Sequence, residues 1–282
     1  MGDGPLVAPD SHPSLGPNLN GPSLIRVPEW VPRPLGRYYL YFAAHHGSYI
    51  RLAYADDVAG PYTVHPPGAL RLDQTRLTGH IASPDVHVDD EHERIVMFHH
   101  GGRYPGQEHQ TTCLATSKDG LAFDWRDEPL GRAYWRVFRH GGWFHAVEMS
   151  GRVRRARELC GPYAEGATLV TGRWRHCAVH VAADTLHVFL STKGDAPEHI
   201  QHATVDLARD EAEWSLGPRS SLLLPERNYE GGDLVVGPSS GGPAPGRVRQ
   251  LRDPCVYIED GLTYLLYSVA GESGIAAARI EW

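Results

Sequence analysis

Little in this chain of 282 residues points to cross-links, membranes or helices. Its four cysteines, Cys113, Cys160, Cys177 and Cys255, stand far apart and form no CxxC pair, which excludes a zinc knuckle and a disulfide framework. They read as small core residues, since free cysteine is among the most often buried side chains. No apolar run approaches the ~20 residues of a membrane-spanning helix, so no membrane partner is expected. The stretch "MGDGPLVAPDSHPSLGPNLNGP" has neither the positive region nor the apolar core of a signal peptide, and a cytoplasmic location is the expectation. Positive charge is scarce as well: 27 Lys and Arg face 34 Asp and Glu, for a net charge of −7. The single basic cluster, "GRVRRARE", is balanced by nearby acids. Phosphate binding draws on clustered Lys and Arg, so nucleic acid is not an expected partner. Finally, no segment of about a dozen residues carries an apolar period of 3.6, which excludes a helical bundle.

What the chain has in quantity is turn-forming residues, with 31 Gly and 22 Pro, and a repeated strand grammar. Five segments share it: "PSLIRVPEWVPRPLGRYYLYFAAHH", "SPDVHVDDEHERIVMFHHGG", "YWRVFRHGGWFHAVEM", "HCAVHVAADTLHVFLSTKG" and "DPCVYIEDGLTYLLYSVAG". Each opens with a short strand, turns, and continues in an aromatic or aliphatic strand. The second strands begin near Tyr38, Arg94, Gly142, Thr185 and Leu262, at steps of about 40 to 80 residues that suit one four-stranded propeller blade each. The expected architecture is therefore an all-β, five-bladed β-propeller. It would form one domain over residues 20–282, with residues 1–19 as an N-terminal extension. A β-sandwich is the alternative, but sandwiches rarely repeat so regularly. The longest step contains "NYEGGDLVVGPSSGGPAPG", in which "PSSGGPAPG" reads as mobile and the acidic "NYEGG" as placed.

In a propeller the first strand of every blade lines the central channel, so residues at the blade openings converge. Here the openings carry Asn20, Asp85, Arg136, His176 and Asp253. All five are polar, which points to a binding or catalytic cavity. Histidine is the second theme, with 17 in the chain. His45 and His46 end one strand, His99 and His100 end another, and His80 and His176 stand near openings. Successive strand side chains face opposite ways, so only one of each HH pair is expected to reach the channel. These histidines suit contacts to a polar ligand's hydroxyls, a proton shuttle, or a divalent metal in the central channel, although no HxH or HExxH spacing is present. Trp30, Tyr104, Trp143 and Trp174 could stack on a ligand ring, and core positions account for most of the tryptophans.

The opening "RDP" with "VYIEDGLTYLLYS", the "SPDVHVD" opening, the "YEGGDL" motif and the blade "GRYYLYFAAHHGSYIRLAYADDVAGPY" together resemble the five-bladed propeller glycosidases of glycoside hydrolase families 43 and 117. That resemblance covers roughly residues 20 to 282 and implies three carboxylates at the funnel mouth: a base, an acid, and an aspartate that tunes the acid. Carried over, Asp253 or Asp85 would be the base, the other would be the tuning aspartate, and Glu230 the acid. Asn20 stands where the commonest members have their base. Asn20, His45, His46, His80, His99, His100, His176 and Arg252 would contact the substrate. Glycosidic cleavage needs one carboxyl to protonate the leaving oxygen and another to activate water. The resulting expectation is a hydrolase acting on a small glycoside or oligosaccharide. A histidine-based lyase and a non-catalytic carbohydrate-binding propeller are the alternatives, and nothing in the sequence sets an oligomeric state.

Overall fold

The computed structural model describes residues 2–169 and 174–281. Blade one is the antiparallel sheet of β1 (Asn20–Arg26), β2 (Tyr38–Ala43), β3 (Tyr49–Ala55) and β4 (Thr63–Arg71). Blade two holds β5 (Thr78–Asp89), β6 (Arg94–Arg103) and β7 (Thr111–Ser117), with the short β8 (Asp124–Trp125) and β9 (Gly131–Arg132) sharing its outer edge. Blade three is β10 (Arg136–His140), β11 (Trp143–Val147), β12 (Arg152–Ala156) and β13 (Ala164–Thr168). Blade four is β14 (Trp174–Ala182), β15 (Thr185–Thr192), β16 (Ile200–Asp206) and β17 (Ser220–Leu223). Blade five has β18 (Arg252–Glu259), β19 (Leu262–Ser268) and β20 (Ile275–Ile280). The expected five-bladed propeller is the fold, and the second strands start within a residue of where the sequence places them.

The blades adhere through their apolar faces. One cluster joins blades one and two through Tyr39, Tyr41, Ile50, Ile81 and Met97, all sealed from solvent. Phe98, Leu114 and Trp135 fill the next gap, between blades two and three. Comparable clusters centre on Leu190 between blades three and four and on Phe189 and Leu265 between blades four and five. Because each sheet buries both faces, its strands are almost continuously apolar rather than alternating.

The chain's beginning closes the ring. Val7 pairs with Ile275 of β20, exchanging hydrogen bonds of 3.2 and 2.9 Å, and Leu19 donates to the Glu272 carbonyl at 2.7 Å. Val7, Leu15 and Leu19 then pack with Leu24, Leu40 and Leu266 between blades one and five. Among the described residues, no helix is long and apolar enough to cross a membrane.

Candidate active site at the mouth of the inner strands

Four inner strands begin with the same irregularity. The ladder slips between Asn20 and Ser23 in β1, Ala82 and Asp85 in β5, Trp174 and Cys177 in β14, and Arg252 and Cys255 in β18. In three of them a proline sits inside the slip, at Pro22, Pro84 and Pro254, where the ladder asks for no N–H. The residue before each proline is left-handed, with φ of 59° at Gly21, 47° at Ser83 and 50° at Asp253. Tyr134, just ahead of β10, matches them at 64°. Only glycine adopts this conformation without strain, so three of the four positions hold a side chain at a conformational cost. The four form one tier at the mouth of the channel.

Rings line this tier almost continuously. Centroid separations are 4.9 Å from His45 to His46, 6.2 Å from His46 to His80, 5.6 Å from His80 to His100, 4.1 Å from His100 to Tyr134 and 3.9 Å from Tyr134 to His176. His176 ends the chain with Nδ1 against one oxygen of the Asp253 carboxylate, and the other oxygen accepts from the Ser268 hydroxyl at 3.2 Å. Burial, reinforced by neighbouring histidines, lowers His80 to about 4. Burial, followed by Arg175 and Arg136, drives His176 well below its usual value, and burial does the same for His100. The buried imidazoles are thus neutral near pH 7. Both nitrogens of His100 and the Asn20 side-chain oxygen are buried with no hydrogen-bond partner among the described residues. Such groups in a native fold call for a ligand or a solvent molecule.

A second layer braces the ring. Glu198 accepts from Arg175 at 2.8 and 3.1 Å and from Ser191 at 2.7 Å, and lies 3.5 Å from Arg252. Arg252 reaches on to Glu272 at 3.2 Å, and Glu272 meets His45 at 3.5 Å and Asn18 at 2.6 Å. Burial pushes the Glu272 carboxyl up, but the bonds from His45 and Asn18 and the Arg252 charge hold it at about 2. The stretch Pro238–Gly246 is tied to this layer. Arg175 donates to the Ser240 and Gly242 carbonyls, Arg252 donates to Gly242 at 3.3 Å, and the Ala244 amide meets Glu272 at 3.4 Å. The expectation that "PSSGGPAPG" is mobile is thus corrected: buried guanidinium groups need acceptors, and main-chain carbonyls supply them. A cavity of about 250 Å³ opens at the rim between Pro17, Asn18, Ala244, Pro245 and Glu272.

Asp85 lies one tier deeper than Asp253. In register it matches Ser23, Cys177 and Cys255, and with Arg136 and His87 it lines a channel cavity of about 160 Å³. One of its oxygens accepts from His87 and from the Val137 amide, each at 2.8 Å. Burial raises its carboxyl, but His87, Arg136 and that amide outweigh it and hold the group below its usual value. Glu230 is elsewhere. It accepts from the Tyr267 hydroxyl at 2.7 Å and from the Glu226 and Arg227 amides at 3.0 Å, beside the core shared by blades four and five. None of these partners belongs to the ring.

Of the predicted substrate contacts, Asn20, His45, His46, His80, His100, His176 and Arg252 meet at the mouth. His99 does not: it pairs with Cys113 across β6 and β7 and faces away from His100. His45 and His46, by contrast, both reach the ring. β2 ends at Ala43, so strand alternation does not apply to them, and the expectation of one inward residue per pair fails there. Trp143 is capped by Arg157 at 3.4 Å, and Trp174 is buried with its indole N–H on the Met149 carbonyl. Among the described residues, no three His, Cys, Asp or Glu side chains converge as metal ligands. The residues missed from sequence are Asn18, Ser83, Tyr134, Arg175, Glu198 and Glu272.

No known protein-family profile matches the chain. It is 34% identical to "Uncharacterized protein R118" of Acanthamoeba polyphaga mimivirus over 298 residues, covering 93% of this chain and 83% of that protein. Among solved structures, a putative glycosidase from Bacteroides thetaiotaomicron is similar with a TM-score of 0.66 at 15% identity, over 99% of this chain and 95% of that one. CoXyl43, a GH43 β-xylosidase/α-arabinofuranosidase from a compost metagenome solved with xylotriose, gives a TM-score of 0.63 at 13% identity, over 98% and 92%. The chain thus belongs to the same family as the mimivirus protein, and it has the five-bladed propeller fold of GH43 and related glycosidases.

Proposed function

We propose that the protein is a glycoside-cleaving enzyme that binds a small glycoside or oligosaccharide at the ringed mouth, with Asp253 as the base. One observation carries this reading most: Asp253 is held left-handed against His176, in the tier where Asn20 and His100 keep buried polar atoms without partners. A sugar hydroxyl can donate and accept, which suits such atoms. His176, neutral, lies with Nδ1 against the Asp253 carboxylate and orients it, as an orienting partner does in other acid–base pairs. The carboxylate draws a proton from the water that attacks the anomeric carbon. Asp85, one tier below, adds negative charge under the developing oxocarbenium ion. Glu198 and Glu272 are saturated by guanidinium and amide donors, so they position the arginines.

The test is turnover of a panel of aryl and alkyl glycosides. Asp253→Asn is expected to lose ~10² to 10⁴-fold on every substrate that the wild type cleaves, the usual worth of acid–base help. Glu230→Gln is expected to keep turnover near wild type. Near-normal activity in Asp253→Asn would reject the reading. A lyase is the second reading, favoured by the imidazoles and phenol that surround Asp253 in place of a second unbraced carboxylate. It would show itself by an unsaturated, ultraviolet-absorbing product.

A further inference from the structure

The geometry points to Tyr134 as the proton donor to the leaving oxygen, an assignment that rests on the glycoside-cleaving reading and completes it. Four residues share the left-handed tier. Gly21 offers only space, Asp253 is the base, and Ser83 and Tyr134 carry hydroxyls. Of the two, Tyr134 alone is only partly buried; Ser83, His100, His176 and Asp253 are sealed. The Tyr134 ring lies against His176, whose Nδ1 meets the Asp253 carboxylate.

Its ring is held by two neighbours. The ring is clasped between His100 and His176, at 4.1 and 3.9 Å, which leaves it little freedom to turn. Ser83 occupies the same left-handed tier beside it. A φ of 64° on a tyrosine is costly and persists only where the surroundings impose it, as they do at functional sites. Burial first, and then the Glu272 charge, push the phenol up to about 12, so it carries its proton at neutral pH.

The chemistry balances. As the bond from the anomeric carbon to the leaving oxygen breaks, its electron pair stays on that oxygen, which takes the Tyr134 proton. Water forms the new carbon–oxygen bond and gives one proton to Asp253. After release that proton returns through solvent to the phenolate, and the net reaction is hydrolysis.

The experiment compares Tyr134→Phe with the wild type on an alkyl glycoside and on an aryl glycoside with a good leaving group. The expected result is a loss of ~10² to 10⁴-fold in kcat on the alkyl substrate and a much smaller loss on the aryl one. Equal losses on both substrates, or none, with Asp253→Asn inactive, would overturn the Tyr134 role alone. A wild type that cleaves no glycoside of either kind would overturn the underlying reading and this role together. If Tyr134→Phe does not fold, fluorotyrosine placed at position 134 serves: it keeps the ring but makes the phenol more acidic, so the ratio of alkyl to aryl turnover should change, and an unchanged ratio counts against the role.

Discussion

Replacing His99 by leucine should make the protein markedly more tolerant of acid. His99 is 1% exposed, and neither ring nitrogen has a hydrogen-bond partner among the described residues. Burial alone lowers it to about 3 from an ordinary 6.5. In the unfolded chain the imidazole takes up its proton near pH 6.5, whereas in the fold it does so only near 3. The folded state therefore loses ground as pH falls below 6.5, and continues to lose it until the folded value is reached. Each pH unit in that window is worth about 1.4 kcal/mol, so His99 should cost about 2 kcal/mol between pH 7.5 and pH 5. The carboxylates held low, Glu272 and Asp85, contribute stability above their ordinary values of 4.5 and 3.8 and lose it only at lower pH, outside this window. Urea unfolding of the wild type and of His99→Leu at pH 7.5 and pH 5 reads the difference directly. At pH 7.5 the variant should match or exceed the wild type, since it removes a buried polar group that is unpaired, worth ~1 to 3 kcal/mol. On acidification it should lose about 2 kcal/mol less than the wild type. Identical pH dependence of the two proteins would refute the argument.

Two further outcomes concern stability. Glu198→Leu strands Arg175 without its buried counter-charge, leaving Arg252 with Glu272 alone, and should cost about 3 to 5 kcal/mol by chemical denaturation, and a neutral effect would show the brace to be dispensable. Val7→Asp places a charge in the seam between blades one and five and should cost about 3 kcal/mol or more, whereas a change under about 0.5 kcal/mol would mean that the pairing with Ile275 does not hold the ring shut.

The strand order was legible because each blade repeats one hydrophobic grammar, as "RYYLYFA" and "TYLLYS" show. Depth within the channel was harder to read. In "RDPC" the aspartate precedes the proline, and in "SPDV" it follows, so the slip in the ladder puts Asp253 at the mouth and Asp85 a tier below. Aligning the prolines would have shown this. Glu198 and Glu272 escaped notice because they lie in turns with no periodic signal. A topological rule would have found them: inner strands leave the mouth and second strands return to it, so every link from a second to a third strand lies there. His45, His46, Glu198 and Glu272 all occupy such links. Glu230 drew attention through a family-like motif, but its three donors show a carboxylate spent on fastening its own turn to Tyr267.

The pairing of Val7 with Ile275 has a consequence for biosynthesis. These partners lie at opposite ends of the chain, so the first segment has no strand to join until the last blade has left the ribosome. Until then the flank of blade one that Leu266 and Ile275 will cover, and with it Leu15 and Leu19, stays open to water. A nascent chain of four finished blades is an open arc with two adhesive ends. Stalling or truncation near the C-terminus would therefore release a species primed to join its neighbours, and the final strand acts as the clasp that converts a sticky arc into an inert ring.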